Sequence, residues 1–289
     1  MVRRHELTDA QFAILEPYLP PSGTVGHPWD EHRRILNGIF WKLHTGVQWR
    51  DIPERYGPWS TIYDRHRRWC QDGTWDRILT ALQVPLDEGG QIDWDQWWID
   101  STNIRASRAA AGARKKGGPM DEPSDHALGR SKGGFGTKLQ LLIDGGGLPL
   151  AVAVLAGQAH ESTQFETVVD SVHIRRRRGR PRRRPRHLGG DRAYHANRIR
   201  LWLRRHGIGA VIPPKRSRGR RRRGRPVRYD AIRYRGRSII ECGIGFLKEC
   251  RSIATRYEKL ALHYLGLVKL AMIERYLRRL STLPNAGAT

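Results

Sequence analysis

The sequence predicts a mixed α/β fold carried behind an all-helical N-terminal segment, and three observations predict it. Up to about residue 88, apolar residues recur at helical spacing between clear stops. From about residue 92 the pattern changes to short runs rich in β-branched and aromatic residues, beginning with QWWIDSTNI at 96–104. Helical stretches alternate with these runs, so the order from 92 to 250 reads β, β, β, α, β, α, β, α.

Thr8 followed by Gln11 has the form of a capping box, Phe12, Ile14 and Leu15 supply an apolar face, and Pro20-Pro21 ends that helix. A second helix is predicted over about 30–45, where Ile35, Leu36, Ile39, Phe40 and Leu43 fall on one side and Gly46 stops it. The short element DIPERYG leads to a third helix over about 60–70 with Ser60 as N-cap. Its apolar side is Ile62 and Trp69, and its basic residues are Arg65, Arg67 and Arg68. A fourth short helix over 75–82 precedes PLDEGG (85–90), a linker by composition. Short helices with a basic one third in order predict a helix-turn-helix-like DNA-binding domain over 1–88, with those three arginines as its DNA contacts. The competing reading is an ordinary helical bundle, and the tryptophans are core under either.

The second domain, 89–289, begins with the strand 96–104, which places Trp98, Asp100 and Thr102 on one face. Residues 106–134, rich in Ala, Gly, Lys and Arg, have no periodicity and read as a functional loop. FGTKLQLLID and LPLAVAVLAG are two strands around GGG, which is no phosphate loop because no Gly-Lys-Ser/Thr follows. A helix over 161–172 follows His160, which either caps it locally or approaches a site as proton shuttle or phosphate contact. HLGGD is a strand ending at Asp191, AYHANRIRLWLRRHG a helix and IGAVIPP a strand. A helix over 234–248 and a long one over about 261–280 complete the chain.

Composition narrows the partner. The 289 residues carry 53 Lys and Arg against 28 Asp and Glu, a net charge of +25, with a pI near 11.1. Such an excess repels itself unless a polyanion compensates it, which points to nucleic acid and to salt-dependent binding. The arginine runs 175–186 and 215–228 sit among Gly and Pro instead of on amphipathic helices, which argues against a membrane surface. No apolar run approaches the roughly 20 residues of a membrane span, and MVRRHELTDAQ lacks the apolar core of a signal peptide. Cys70, Cys242 and Cys250 form no zinc-like pair and read as free thiols. A soluble cytoplasmic protein is expected.

In so basic a chain, acids within apolar strands stand out. Asp100 follows Trp97-Trp98-Ile99, and Asp191 ends the strand after Leu188-Gly189-Gly190. Such carboxylates are costly unless paired or bound to a metal. On a helix at about 100° per residue, Tyr234, Arg237, Glu241 and Lys248 fall within roughly 60°, with Ile239, Ile240, Phe246, Leu247 and Cys250 broadly opposite. Glu241 is thus the candidate third acid. Two aspartates and a glutamate offer hard oxygen donors, which suit Mg²⁺ or Mn²⁺. Two such ions can activate a water or a 3′-hydroxyl and stabilise the leaving oxygen of a phosphodiester. Against this, each acid could serve as a cap or pair with one of the many arginines, and the stripe could be a solvated surface face. Within the 234–248 helix, Gly243 is expected to pack closely on the sheet and Gly245 to leave space beside Glu241.

The segments WIDST, GGFGTKLQLLIDGGGLP, GQAHEST, GDRAY and YRGRSIIECGIGFLKECRSIATRYEKL resemble the DDE transposases of the IS5 group within the IS4/IS5 set, and LTDAQFAILEPYLP through TIYDRHRRW resembles the helical segment that precedes their catalytic domain. The most specific element is Tyr-x2-Arg-x3-Glu-x6-Lys, met by Tyr234, Arg237, Glu241 and Lys248. The resemblance implies an RNase H-like catalytic domain and an insertion-sequence transposase that binds terminal inverted repeats and cuts and joins DNA with two Mg²⁺ ions, Mn²⁺ being a substitute. By that match Asp100, Asp191 and Glu241 hold the metals, Tyr234, Arg237 and Lys248 grip the end DNA, and the protein acts as a homodimer on double-stranded DNA. About 50 residues separate Asp191 from Glu241, too few for the β-rich insertion of some relatives. The basic stretches 106–134, 175–186 and 215–228 are the candidates to replace its contacts. The rival expectations are a metal-dependent nuclease that does not join ends, and a non-catalytic DNA-binding regulator.

Overall fold

The computed structural model describes residues 3–21, 31–112, 126–214 and 229–282. The arginine run 215–228 therefore lies outside the described residues, as does much of the 106–134 loop.

The N-terminal helices form where apolar periodicity and caps place them. In α1 (Asp9–Leu15) Thr8 accepts from the Gln11 N–H at 3.2 Å while the Gln11 side chain accepts from the Thr8 N–H at 3.0 Å. Helix α2 (His32–Thr45) buries Ile35, Leu36, Ile39, Phe40 and Leu43, and Gly46 stops it at φ 70°, a left-handed conformation that suits glycine. Two 3₁₀ turns, Trp49–Asp51 and Glu54–Tyr56, lead to α3 (Trp59–Gln71). That helix starts two residues earlier than Ser60 as N-cap would set it, with Pro58 in the cap position. Trp69 and Trp75 are core, whereas Trp59 is one of the exposed large apolar residues.

The expected linker at 85–90 is corrected: α4 (Thr74–Glu88) runs through Pro85. Proline normally breaks a helix by removing one hydrogen bond. Here Leu82 and Leu86, one turn apart around it, are both fully buried, and that burial outweighs the lost bond.

Among the described residues a seven-stranded sheet carries the rest. Strand β1 (Gln96–Ala106) is followed by a single helical turn, α5 (Arg108–Ala111), then by β2 (Gly129–Ser131), β3 (Gly134–Asp144) and β4 (Pro149–Ala156). Helix α6 (Phe165–Asp170), β5 (His187–Gly190), α7 (Asn197–Arg205) and β6 (Gly209–Val211) follow. Then come α8 (Ala231–Tyr234), α9 (Ser238–Glu249), α10 (Arg251–Ala254), β7 (Thr255–Arg256) and α11 (Ala261–Leu280). The predicted hairpin is β3–β4, closed by the turn through the three glycines.

Strand β1 is central, antiparallel to β3 and parallel to β5. Beyond β3 lies antiparallel β4, and beyond β5 lies parallel β6. Trp97, Trp98 and Ile99 of β1 and Leu141, Leu142 and Ile143 of β3 are buried on both faces, as a covered sheet requires. Helix α11 packs against α4, α3 and α1 as well as β4, so the N-terminal helices and the sheet share one contiguous apolar core.

Candidate metal centre

The centre of the site follows from strand register. Ile99 of β1 is paired with Gly190, the last residue of β5, so the next residues, Asp100 and Asp191, emerge side by side from neighbouring parallel strands. Asp100 is 8% exposed and Asp191 is half-buried. Asp100 accepts from the Ser101 N–H at 2.8 Å. Asp191 caps a 3₁₀ turn, Arg192–Tyr194, by accepting from the Ala193 N–H at 2.8 Å. Burial pushes the Asp100 carboxyl above the usual carboxylate range, against the Ser101 N–H and the Arg237 guanidinium, and the neighbouring Asp191 charge adds to the rise.

A third carboxylate meets these two, and it is Glu161. One oxygen from each of Asp100, Glu161 and Asp191 lies within 4.8 Å of the others. Glu161 opens the 3₁₀ turn Glu161–Gln164. Its carbonyl accepts from Gln140 Nε2 at 3.0 Å, and the same nitrogen donates to Tyr194 Oη at 3.0 Å. One buried amide on β3 thus ties the Glu161 turn to the turn capped by Asp191. The Lys138 ammonium stands 3.5 Å from the Glu161 carboxylate. Spacing could not find Glu161, because it lies in the turn after β4, on neither of the strands that carry the two aspartates. Its one signal was an acid inside GQAHEST, a segment that itself carries the family resemblance.

Glu241 is placed differently. It lies on α9 with its side chain 63% exposed, and it reaches Asp100 only through Arg237, whose Nη1 is 3.1 Å from Glu241 and Nη2 2.5 Å from Asp100. The expected single helix over 234–248 is broken. Tyr234 ends α8, Arg235–Arg237 form a 3₁₀ turn, and α9 starts at Ser238. Tyr234 is half-buried edge-on to Trp98, at 6.4 Å between ring centroids. Lys248 is exposed in the last turn of α9. On the other side of this helix Ile240, Leu247 and Cys250 are buried, and Ile239, Ile244 and Phe246 pack against the core. A Cβ on Gly243 would meet Ile143 and Leu141 at 3.5–3.7 Å, ordinary contact, so glycine is not required there; Gly245 has nothing within 4 Å.

His160 takes the local reading, since its Nδ1 accepts from the Ser162 N–H at 3.2 Å and caps the turn. Of the three basic residues of α3, Arg67 and Arg68 are exposed. Arg65 is 6% exposed, 3.1 Å from His32 Nδ1 and packed over Trp69. Its guanidinium is used inside the bundle.

A second cluster, His44, Cys250 and Glu274, also brings three ligand-type atoms within 4.8 Å. Its imidazole is used from both sides, with Nε2 3.0 Å from Glu274 and Nδ1 3.8 Å from the Cys250 thiol. Burial pushes that thiol up to about 12, and the three groups are joined by hydrogen bonds through the imidazole. The Asp100 centre fits a hard divalent ion, since all three of its donors are carboxylate oxygens and two emerge from adjoining strands.

A family model described as "Transposase DDE domain" matches residues 96–273. A second, described as "Putative transposase of IS4/5 family", matches residues 7–79. "Uncharacterized protein y4sN" of Sinorhizobium fredii is 37% identical over 117 residues, 39% of this chain and 88% of that protein. "Insertion element IS402 uncharacterized 16.2 kDa protein" of Burkholderia cepacia is 36% identical over 107 residues, 35% of this chain and 73% of that protein.

Proposed function

This chain belongs to the transposase DDE-domain family, with an IS4/5-type segment ahead of the domain, and on that premise we propose that it binds the terminal inverted repeats of its element and catalyses metal-dependent strand cleavage and strand transfer. The observation that carries the reading is the register that sets Asp100 beside Asp191 in a carboxylate cluster at the centre of the sheet. The strand order, with an antiparallel β4–β3–β1 half and a parallel β1–β5–β6 half, supports an RNase H-like assignment for residues 89–289.

Asp100, Asp191 and Glu241 would hold the divalent ions, two Mg²⁺ or, in their place, Mn²⁺. When bound, the ions supply activation of a water or a 3′-hydroxyl and neutralisation of charge on the leaving oxygen. The protein residues do the positioning. Asp100 and Asp191 are fixed by backbone N–H groups, so both oxygens are aimed before DNA arrives. Arg237 bridges Asp100 and Glu241, and its Nε is buried with no hydrogen-bond partner among the described residues. A DNA phosphate arriving beside it would draw the guanidinium off Asp100 and free Glu241 to turn inward. Tyr234 stacks on or hydrogen-bonds the strand, and Lys248 holds a further phosphate along α9.

The helical segment 1–88 presents Arg67 and Arg68 of α3 to duplex DNA, in a helix-turn-helix-like role; Arg65 is left to the fold. The exposed arginines of 175–180 extend the basic surface. Joining two element ends calls for a homodimer on DNA. No helix among the described residues is long and apolar enough to cross a membrane.

The test is strand transfer with the element's own end DNA and Mg²⁺. The wild-type protein should cut at the end and join it to a target, and Asp191→Asn should do neither. Equal product from Asp191→Asn refutes the catalytic assignment. Cutting without joining of pre-cut ends reduces the protein to a nuclease, and end binding with neither step reduces it to a regulator.

A further inference from the structure

We infer that Glu161 is the third metal ligand of the DNA-free protein, a role the DDE pattern assigns to Glu241. The inference rests on the function proposed above and adds a residue to the same site. The positions of the two glutamates carry it. Glu161 lies in one 4.8 Å cluster with Asp100 and Asp191. Glu241 is outside that cluster, with its carboxylate engaged by Arg237 and its side chain mostly in solvent. A divalent ion entering the DNA-free protein therefore meets Asp100, Asp191 and Glu161 first.

The backbone around Glu161 is built for this. The His160 cap fixes the turn, Thr163 Oγ1 donates to the His160 carbonyl at 2.7 Å, and Gln140 holds the Glu161 carbonyl. Gln140 is fully buried on β3, which makes it a positioning residue for both turns. The bland alternative is a Glu161–Lys138 ion pair. That contact is 3.5 Å long, and the Lys138 ammonium sits closer to the Ala159 carbonyl, at 2.8 Å. Three carboxylates this close repel one another, and the neighbouring cations Lys138 and Arg237 each pair with one of them, Glu161 and Asp100 respectively. Coordination by all three would relieve that repulsion, with the Lys138 ammonium 3.5 Å from the Glu161 carboxylate. Glu241 joins when DNA takes Arg237, so the two glutamates serve successive states of one centre.

The experiment is Mn²⁺ binding to the full-length protein without DNA, read by the loss of the free-ion electron paramagnetic resonance signal. Wild type should bind, and Glu161→Gln should weaken binding at least about 10-fold, as loss of a ligand or of its support does elsewhere, and by more than Glu241→Gln does. Asp100→Asn and Asp191→Asn should weaken it as Glu161→Gln does. Wild-type binding by Glu161→Gln alongside weak binding by both aspartate variants overturns the inference and leaves the proposed function standing. So does loss of binding in Glu241→Gln as severe as in Glu161→Gln, or DNA-free wild type that binds no Mn²⁺. Unchanged binding in the aspartate variants overturns the function reading itself. Should Glu161→Gln not fold, Glu161→Cys carries the test. It should bind Cd²⁺ with a thiolate–metal absorption that wild type lacks, although wild type keeps the exposed Cys242. Absence of that absorption counts against Glu161 as a ligand.

Discussion

Replacing Gly189 by Ala should strike the fold and the site together, because Gly189 is the strand partner of Trp98. The Trp98 indole lies across the glycine, so an added Cβ would stand 2.1 Å from its Cζ3, 2.3 Å from Cε3 and 3.0 Å from Cη2. Carbon atoms rest at about 3.5–4.0 Å, so the ring would have to give by roughly 1.4 Å. It has nowhere to go, being 2% exposed with Tyr234 edge-on at 6.4 Å and Gly236 against its far edge. Overpacking of this kind costs about 1–3 kcal/mol and sometimes more. The displaced ring would push on the segment carrying Tyr234 and Arg237. The assay is urea unfolding of Gly189→Ala, Trp98→Leu and the double variant, with end-DNA affinity measured on each. The double variant should be more stable than the sum of the two single losses by about 1–3 kcal/mol, the coupling of residues in direct contact. A Gly189→Ala protein within about 0.5 kcal/mol of wild type, or additive losses in the cycle, would refute the steric argument.

Two further outcomes are expected. Asp144 is fully buried, and burial pushes its carboxyl up to about 6 from 3.8 although it accepts from the Asp93 and Leu148 N–H groups. A carboxyl raised by folding gives most stability below its unfolded value and loses it as pH rises through the folded one. Wild type should therefore lose about 2 kcal/mol from this group between about pH 4.5 and about pH 7.5. The stability of Asp144→Asn relative to wild type, from urea unfolding at both pH values, should rise by that amount; a flat difference would sink the claim. Gly245→Leu should leave stability unchanged or slightly raised, since nothing lies within 4 Å and glycine costs a helix about 1 kcal/mol. The same variant should lose end-DNA binding if that space is where DNA lies, and undiminished binding would remove the reason for the glycine.

Much of this fold was legible in the residues, and for local reasons. The capping box of α1, the Gly46 stop of α2, the β3–β4 hairpin and the bounds of α11 follow from short-range patterns that each segment carries alone. The same holds for Asp100 and Asp191, which stood out as acids at strand positions in a chain of net charge +25. Where local rules were overridden, burial decided: α4 continues past Pro85 because Leu82 and Leu86 are both sealed in the core, and Arg65 turns inward onto Trp69 although its neighbours Arg67 and Arg68 face out.

By itself the sequence determined a polyanion-seeking α/β protein with a helical front segment and acids suited to a hard divalent ion. Only the tertiary structure decided which acids meet. Parallel register between β1 and β5 puts Asp100 against Asp191, and no spacing rule fixes a register between strands some 90 residues apart. The same packing brings in Glu161, held by Gln140, and leaves Glu241 in solvent behind Arg237. The arc of Tyr234, Arg237, Glu241 and Lys248 assumed one unbroken helix; a 3₁₀ turn at Arg235–Arg237 interrupts it, and of its members Tyr234 and Arg237 meet β1 while Glu241 and Lys248 face solvent. Helical periodicity is a property of one segment, whereas a metal centre is a property of several segments converging, and that convergence is set by the core they share.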